Sequence, residues 1–173
     1  MRRVRCRGVA RILIVGGGWR GRRLASEIAV EGHAVRISTR TEAGRGAIEA
    51  TGAECWIGTP DRLATLRGAL ENVTILCWML GSAVGTPEEL GALFGTRLEF
   101  FMTQAIDTTV RGVLYESVGR KTPRELLEQG ERTVRALAER NAIPVAFLDA
   151  NPDEPEEWLK GARGAIESLL SGA

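Results

Sequence analysis

Six short apolar runs punctuate this chain, at residues 11–15, 34–38, 54–57, 73–79, 110–116 and 144–148. Their aliphatic and β-branched composition and their brevity predict strands. Between and after them lie segments with helical spacing of apolar positions, at 19–31, 42–51, 61–70, 87–106, 123–141 and 154–170. In 123–141, for example, Leu126, Leu127, Val134, Leu137 and Ala138 form one face, with Glu and Arg on the other. Regular alternation of strand and helix implies a parallel sheet with helices on both faces. Right-handed crossovers then favour a doubly wound, six-stranded order 3-2-1-4-5-6.

Capping chemistry marks several helix ends. Thr86-Pro87-Glu88-Glu89 and Thr122-Pro123-Arg124-Glu125 each place Thr at the N-cap, Pro at the first helical position and Glu at the third. Asp153-Glu154-Pro155-Glu156 repeats the logic with Asp, while Gly32 and Gly52 suit helix C-termini. There is no long linker, repeat or low-complexity tract, and 173 residues suit one domain. The expected organisation is a basic arm at 1–10 followed by a single α/β domain at 11–173.

The richest segment is Arg11 to Gly21, RILIVGGGWRG. A strand runs straight into Gly16-x-Gly18-x-x-Gly21 and a helix follows at once, which is the dinucleotide-binding fingerprint of a Rossmann domain. Gly16 permits the tight turn, Gly18 lets a diphosphate approach the backbone, and Gly21 lets the helix lie close to the sheet. The phosphates would meet free N–H groups at the positive end of the helix dipole. Trp19, bulky for such a loop, is expected to shield the diphosphate or to cover a partner surface. The second strand ends Ile37-Ser38-Thr39-Arg40, without the acid that holds a ribose 2′-hydroxyl in NAD-binding versions of the motif. Arg40, helped by the Ser38 and Thr39 hydroxyls, can instead grip a 2′-phosphate, so the pattern favours NADP over NAD. Arg20 and Arg22 add positive charge beside the loop. The plain alternatives are a solvated loop arginine at position 40 and a purely structural turn at the glycines.

Composition changes this picture little. Net charge is +1, but the first 45 residues carry eleven arginines against three glutamates, and 149–157 holds five acids and no base. A basic amino-terminal half suits a phosphate-bearing small ligand; no nucleic-acid partner is expected. Cys6, Cys55 and Cys77 show no metal-ligand spacing, and the last two fall in apolar runs, so buried free thiols and a cytoplasmic location are expected. Met1 to Arg7 lacks the apolar stretch of a signal peptide, and no run approaches membrane-spanning length. His33 is the single histidine and sits in a Gly-His turn, which leaves no metal site and little case for a Ser-His triad.

Four stretches in order, ILIVGGGWRGRRLA, GHAVRISTR, GAECWIGTPDRLATLRGALENVTILCWMLGS and VRGVLYESVG, make residues 11–148 resemble the atypical or extended branch of the short-chain dehydrogenase/reductase superfamily. The resemblance implies a cofactor lying across the carboxyl ends of the strands. Met79 to Ser82 would line it, with Leu80 beside it and Gly81 in close backbone contact, and residues after strand five would face the nicotinamide. Ser117 falls where the family often has its catalytic serine or threonine. The family's Tyr/Lys pair is absent: four residues beyond Tyr115 stands Gly119, and Lys121 is two further on. The usual acid after strand three is replaced by Thr59, with Asp61 two residues later. A larger carboxyl-terminal substrate region is also expected to be missing. Catalytic residues therefore stay unassigned, with Glu116, Asp107 and Asp149 read as turn residues and Tyr115 as packed within its strand. Two functions remain open, an NADPH-dependent oxidoreductase and a non-catalytic NADP(H)-binding sensor or regulatory subunit, with an empty scaffold behind them. Leu98, Phe100, Phe101 and Met102 suggest either core or a homodimer face.

Overall fold

A computed structural model of the protein describes residues 8–172, so most of the basic arm, including Cys6, lies outside the described residues. Six parallel strands form one sheet in the order β3-β2-β1-β4-β5-β6, the doubly wound topology that the sequence predicts. They are β1 (Arg11–Gly16), β2 (Ala34–Thr39), β3 (Glu54–Ile57), β4 (Ile75–Met79), β5 (Gly112–Glu116) and β6 (Val145–Leu148). The helices are α1 (Gly18–Val30), α2 (Arg45–Glu49), α3 (Pro87–Leu93), α4 (Thr96–Ile106), α5 (Arg124–Asn141) and α6 (Pro155–Gly172).

The central strands are buried on both faces, as helix-covered parallel strands must be. Because side chains alternate, each strand feeds two cores. Leu13, Val15, Leu76, Trp78, Val113 and Tyr115 pack under α3, α4 and α5. Ile12, Ile14, Ile75, Cys77, Met79 and Leu114 pack under α1 and α6. Cys77 is fully buried and its thiol is pushed up by that burial, whereas Cys55 and Trp56, on the edge strand β3, are only half-buried. Leu98, Phe101 and Met102 are core, which leaves Phe100, at 56% exposure, as the apolar group that α4 presents outward.

Four expected helical features take other forms. Residues 61–70 fold as two single 3-10 turns, Leu63–Thr65 and Arg67–Leu70. The Trp56 indole N–H donates to the Thr65 carbonyl at 2.7 Å, occupying the acceptor that a continuous helix would use, and the Ala69 N–H bonds to Leu66 instead. The single helix expected at 87–106 breaks into α3 and α4 at Phe94–Gly95, where Gly91 and Gly95 weaken helical propensity four residues apart. Thr86 makes the full capping box with Glu89, but Thr122 caps nothing. Its hydroxyl donates toward the Leu80 and Ala83 carbonyls, and Pro123 becomes the N-cap of α5. Asp153 likewise stands outside α6, its N–H held by the Asn151 side chain.

Tyr115 shows how tightly α5 lies on the sheet. Its hydroxyl donates to the Leu127 carbonyl at 2.9 Å, and a Cβ added at Gly130 would collide with that hydroxyl. On helical propensity alone Gly130→Ala would gain about 1 kcal/mol. Overpacking against Tyr115 reverses the sign, and we expect a net loss of about 1–3 kcal/mol in urea denaturation. Tyr115→Phe in the same chain should return part of that loss, because the collision with the oxygen is removed while the ring remains close.

Candidate functional site

The first crossover bends at three consecutive glycines with positive φ, Gly16 (85°), Gly17 (84°) and Gly18 (53°). The Gly17 N–H donates to the Met79 carbonyl at 2.6 Å, which ties the bend to the end of β4. A Cβ at Gly16 would lie 2.5 Å from both Leu80 Cδ2 and the Met79 oxygen, and one at Gly17 would lie 2.9 Å from Gly21 Cα. A Cβ at Gly21 would lie 3.0 Å from the Gly16 oxygen, as at a glycine that brings helix and strand together. Gly17, to which the spacing rule assigns no role, is therefore as constrained as its neighbours. A Cβ at Gly18 would meet nothing within 4 Å: that position opens on empty space. No side chain caps α1, so its first-turn N–H groups point outward without a side-chain acceptor.

These groups line a cleft of about 570 Å³ at the carboxyl ends of the strands, within the size range of small-molecule sites. Of the residues singled out from sequence, Gly16, Gly18, Trp19, Arg20, Ser38, Thr39, Arg40 and Leu80 all lie on it. Trp19 is 50% exposed at the rim and does not plug the glycine bend. Arg40 sits at the β2–β3 end with Asp61, its guanidinium 2.9 Å from the Asp61 carboxylate. At the other end Arg120 and Lys121 reach the cleft on the loop after β5; sequence reasoning weighed Lys121 only as a failed partner for Tyr115 and gave Arg120 no role.

Two expected lining residues face elsewhere. Gly81 packs against Val118 and Gly119, where a Cβ would come within 2.7 Å of the Val118 oxygen. Its absent side chain serves loop-to-loop packing rather than a ligand. Ser117 is not on the cleft either; its Oγ is buried without a hydrogen-bond partner among the described residues. Tyr115 is fully buried, and burial pushes its phenol well above the ordinary value, so it offers the cleft no proton.

The feature that sequence reasoning missed is Glu116. Expected as a turn residue, it ends β5 at 1% exposure and gathers three donors. The Gly81 N–H donates at 2.7 Å, the Trp158 indole N–H at 3.0 Å and the Arg20 guanidinium at 3.4 Å. Arg20, itself only 6% exposed, also donates to Ser82 Oγ and the Pro152 carbonyl and stacks over the Trp158 ring. Burial holds the Glu116 carboxyl above its ordinary 4.5, against the opposing pull of the Gly81 N–H, the Arg20 charge and the Trp158 N–H. Arg20 thus turns inward from the glycine loop to support the cleft floor. Among the described residues no group of three His, Cys, Asp or Glu is placed to hold a metal, and no helix is long and apolar enough to cross a membrane.

No protein-family model matches the chain, and no curated protein matches it in sequence. Solved structures do. A short-chain dehydrogenase/reductase superfamily protein from Agrobacterium tumefaciens with bound NAD aligns over 94% of this chain and 62% of its own, at TM-score 0.65 and 17% identity. UDP-glucose 4-epimerase from Thermotoga maritima, with UDP-glucose, aligns over 79% and 54%, at TM-score 0.65 and 11% identity. Triphenylmethane reductase from Citrobacter sp., complexed with NADP(H), aligns over 79% and 48%, at TM-score 0.58 and 17% identity. The fold shared with these structures is the doubly wound Rossmann fold. The chain spans about half to three fifths of the length of these structures.

The Arg20–Glu116 pair generates two expectations. Arg20→Met and Glu116→Gln should each cost about 3–5 kcal/mol in urea denaturation, because each leaves a buried partner uncompensated. The double variant should cost less than their sum by about 2 kcal/mol. Since the folded Glu116 binds its proton more tightly than the unfolded chain does, the proton-linked part of its contribution is complete below the unfolded pKa. It is lost as pH rises through the folded value. Stability of the wild type relative to Glu116→Gln should therefore fall across that window, which a urea series at stepped pH measures.

Proposed function

We propose that the cleft binds a nicotinamide dinucleotide, with NADP(H) preferred over NAD(H), and that the protein is oxidoreductase-like. The observation that carries this reading is the glycine bend: three left-handed residues, an uncapped helix N-terminus and open space over Gly18. Free N–H groups at a helix N-terminus beside a glycine bend suit an anionic group such as a diphosphate. Gly16, Gly18 and the first turn of α1 would hold the diphosphate, with Trp19 at the rim. Ser38, Thr39 and Arg40 would hold the adenosine ribose and its 2′-phosphate. Leu80 would face the dinucleotide from the end of β4.

A bound nicotinamide supplies hydride chemistry of its own. What this chain adds is positioning and charge, because Tyr115 is sealed in the core and Ser117 lies off the cleft. Those two placements favour a second reading, a sensor or regulatory subunit that binds NADP(H) without turnover. Bacterial proteins of the same fold solved with NAD and with NADP(H) support the cofactor class for either reading.

Calorimetry with both nucleotides tests the assignment. Arg40→Ala should weaken NADP about ten- to a hundredfold, the worth of a charge-assisted hydrogen bond to phosphate, and change NAD about twofold at most. Equal losses would remove the 2′-phosphate role. Gly18→Ala should cost about 1–2 kcal/mol of stability for its left-handed backbone yet abolish binding of both nucleotides. Turnover of NADPH against a panel of carbonyl and quinone compounds then separates enzyme from sensor.

A further inference from the structure

Arg40 does not stand alone at the β2–β3 end of the cleft. Asp61 Oδ2 lies 2.9 Å from its guanidinium, and Asp61 Oδ1 accepts from Arg97 of α4 at 3.1 Å. The Asp61 carboxylate is steadied by the Thr59 hydroxyl at 3.2 Å, in the turn that closes β3. Asp61 and Arg40 both line the cleft, and Arg97 backs Asp61 from outside it. One carboxylate is therefore shared between two cations, beside Arg40 on the lining of the cleft.

We propose that Asp61 sets how strongly the cleft discriminates between a 2′-phosphate and a 2′-hydroxyl, by competing with the phosphate for Arg40 while Arg97 draws its charge aside. This rests on the assignment of Arg40 given above. The competition is weighted toward the ligand. All three side chains are at least partly exposed, and such solvated pairs hold by a fraction of the energy of a dianionic phosphate on a guanidinium fork. The carboxylate nevertheless repels any phosphate brought beside Arg40, and it must yield part of its bond to that arginine. Arg97 moderates both effects. By taking Oδ1, it leaves two positive charges against one negative at this corner of the cleft. Preference for NADP is then a balance of three side chains, tuned at Asp61 and at Arg97, rather than the property of a single arginine.

The test is calorimetry of NADP and NAD, which differ by the 2′-phosphate alone, on the full chain carrying Asp61→Asn or Arg97→Met. Asn retains an acceptor for Thr59 but not the charge. Asp61→Asn is expected to tighten NADP about three- to tenfold, to leave NAD within about twofold, and to lose its advantage at high salt, where the Debye length falls to about 3 Å. Arg97→Met is expected to weaken NADP about threefold in the wild-type background and to have little effect once Asp61 is Asn. Loss of NAD and NADP affinity together in Asp61→Asn would make Asp61 a direct ligand of the adenosine and overturn the proposal. So would unchanged affinities in a variant whose melting curve matches the wild type. If the wild type binds neither nucleotide, the cofactor assignment falls and this inference with it. If Arg40→Ala selectively weakens NADP while Asp61→Asn changes nothing, this inference alone fails.

Discussion

One buried carboxylate ties together the loops around the glycine bend of the cleft. Glu116 closes β5, and its donors come from the loop after β4, from the first turn of α1 and from α6. Those segments meet at the carboxyl end of the sheet, where parallel strands stop and their loops diverge. Without a shared acceptor each loop would carry its own buried polar group. An ionised carboxylate in such a place is costly unless it is fully bonded. Here that cost is partly offset because one group satisfies a backbone N–H, an indole and a guanidinium at once. Arg20 extends the same network to Ser82 and the Pro152 carbonyl, so the loop between β6 and α6 is tied in as well.

The glycine bend depends on that anchoring. Its tight contacts with Met79 and Leu80 require the end of β4 to be stationary, and Gly81, the next residue along, is the one Glu116 holds. The Gly81 carbonyl in turn faces the Lys121 and Thr122 N–H groups at 3.4 and 3.3 Å. The loop after β5, which brings Arg120 and Lys121 to the cleft, is thereby registered against the loop after β4. A perturbation at Glu116 would reach the glycine bend directly through Arg20 and by way of Gly81, and the opposite end of the cleft through Gly81.

The fold was legible because its strands are short, apolar and regularly spaced, and a parallel sheet covered on both faces demands that pattern. The glycine loop was legible because its chemistry is local: strand, bend and helix are contiguous. Errors arose where the deciding partner was distant in sequence. Nothing near Thr65 reveals that the Trp56 indole takes its carbonyl, and nothing near Thr122 reveals the Leu80 and Ala83 oxygens that claim its hydroxyl. Glu116 is the plainest case. A lone acid after an apolar strand reads as a turn until Arg20, Gly81 and Trp158 converge on it from 96, 35 and 42 residues away. One signal was present: an arginine inside the glycine fingerprint, at a position folding toward the sheet, needs an anion to meet it.

The charge arrangement explains why a cleft so rich in arginine is not simply a polycation trap. Arg40 is paired with Asp61, and Arg120 with Asp153, each across exposed contacts of 2.9 and 2.7 Å. Arg20 is neutralised internally by Glu116. Arg22 and Lys121 line the cleft with no ion pair among the described residues, one beside the glycine bend and one at the far end. The permanent attraction for an anion is thus concentrated at the uncapped helix terminus and these two side chains, while the paired arginines respond only to a ligand that can outbid a carboxylate. Such an arrangement favours a ligand with several phosphate groups at fixed separation over any single small anion. On the function proposed above, that is the demand a phosphorylated dinucleotide meets.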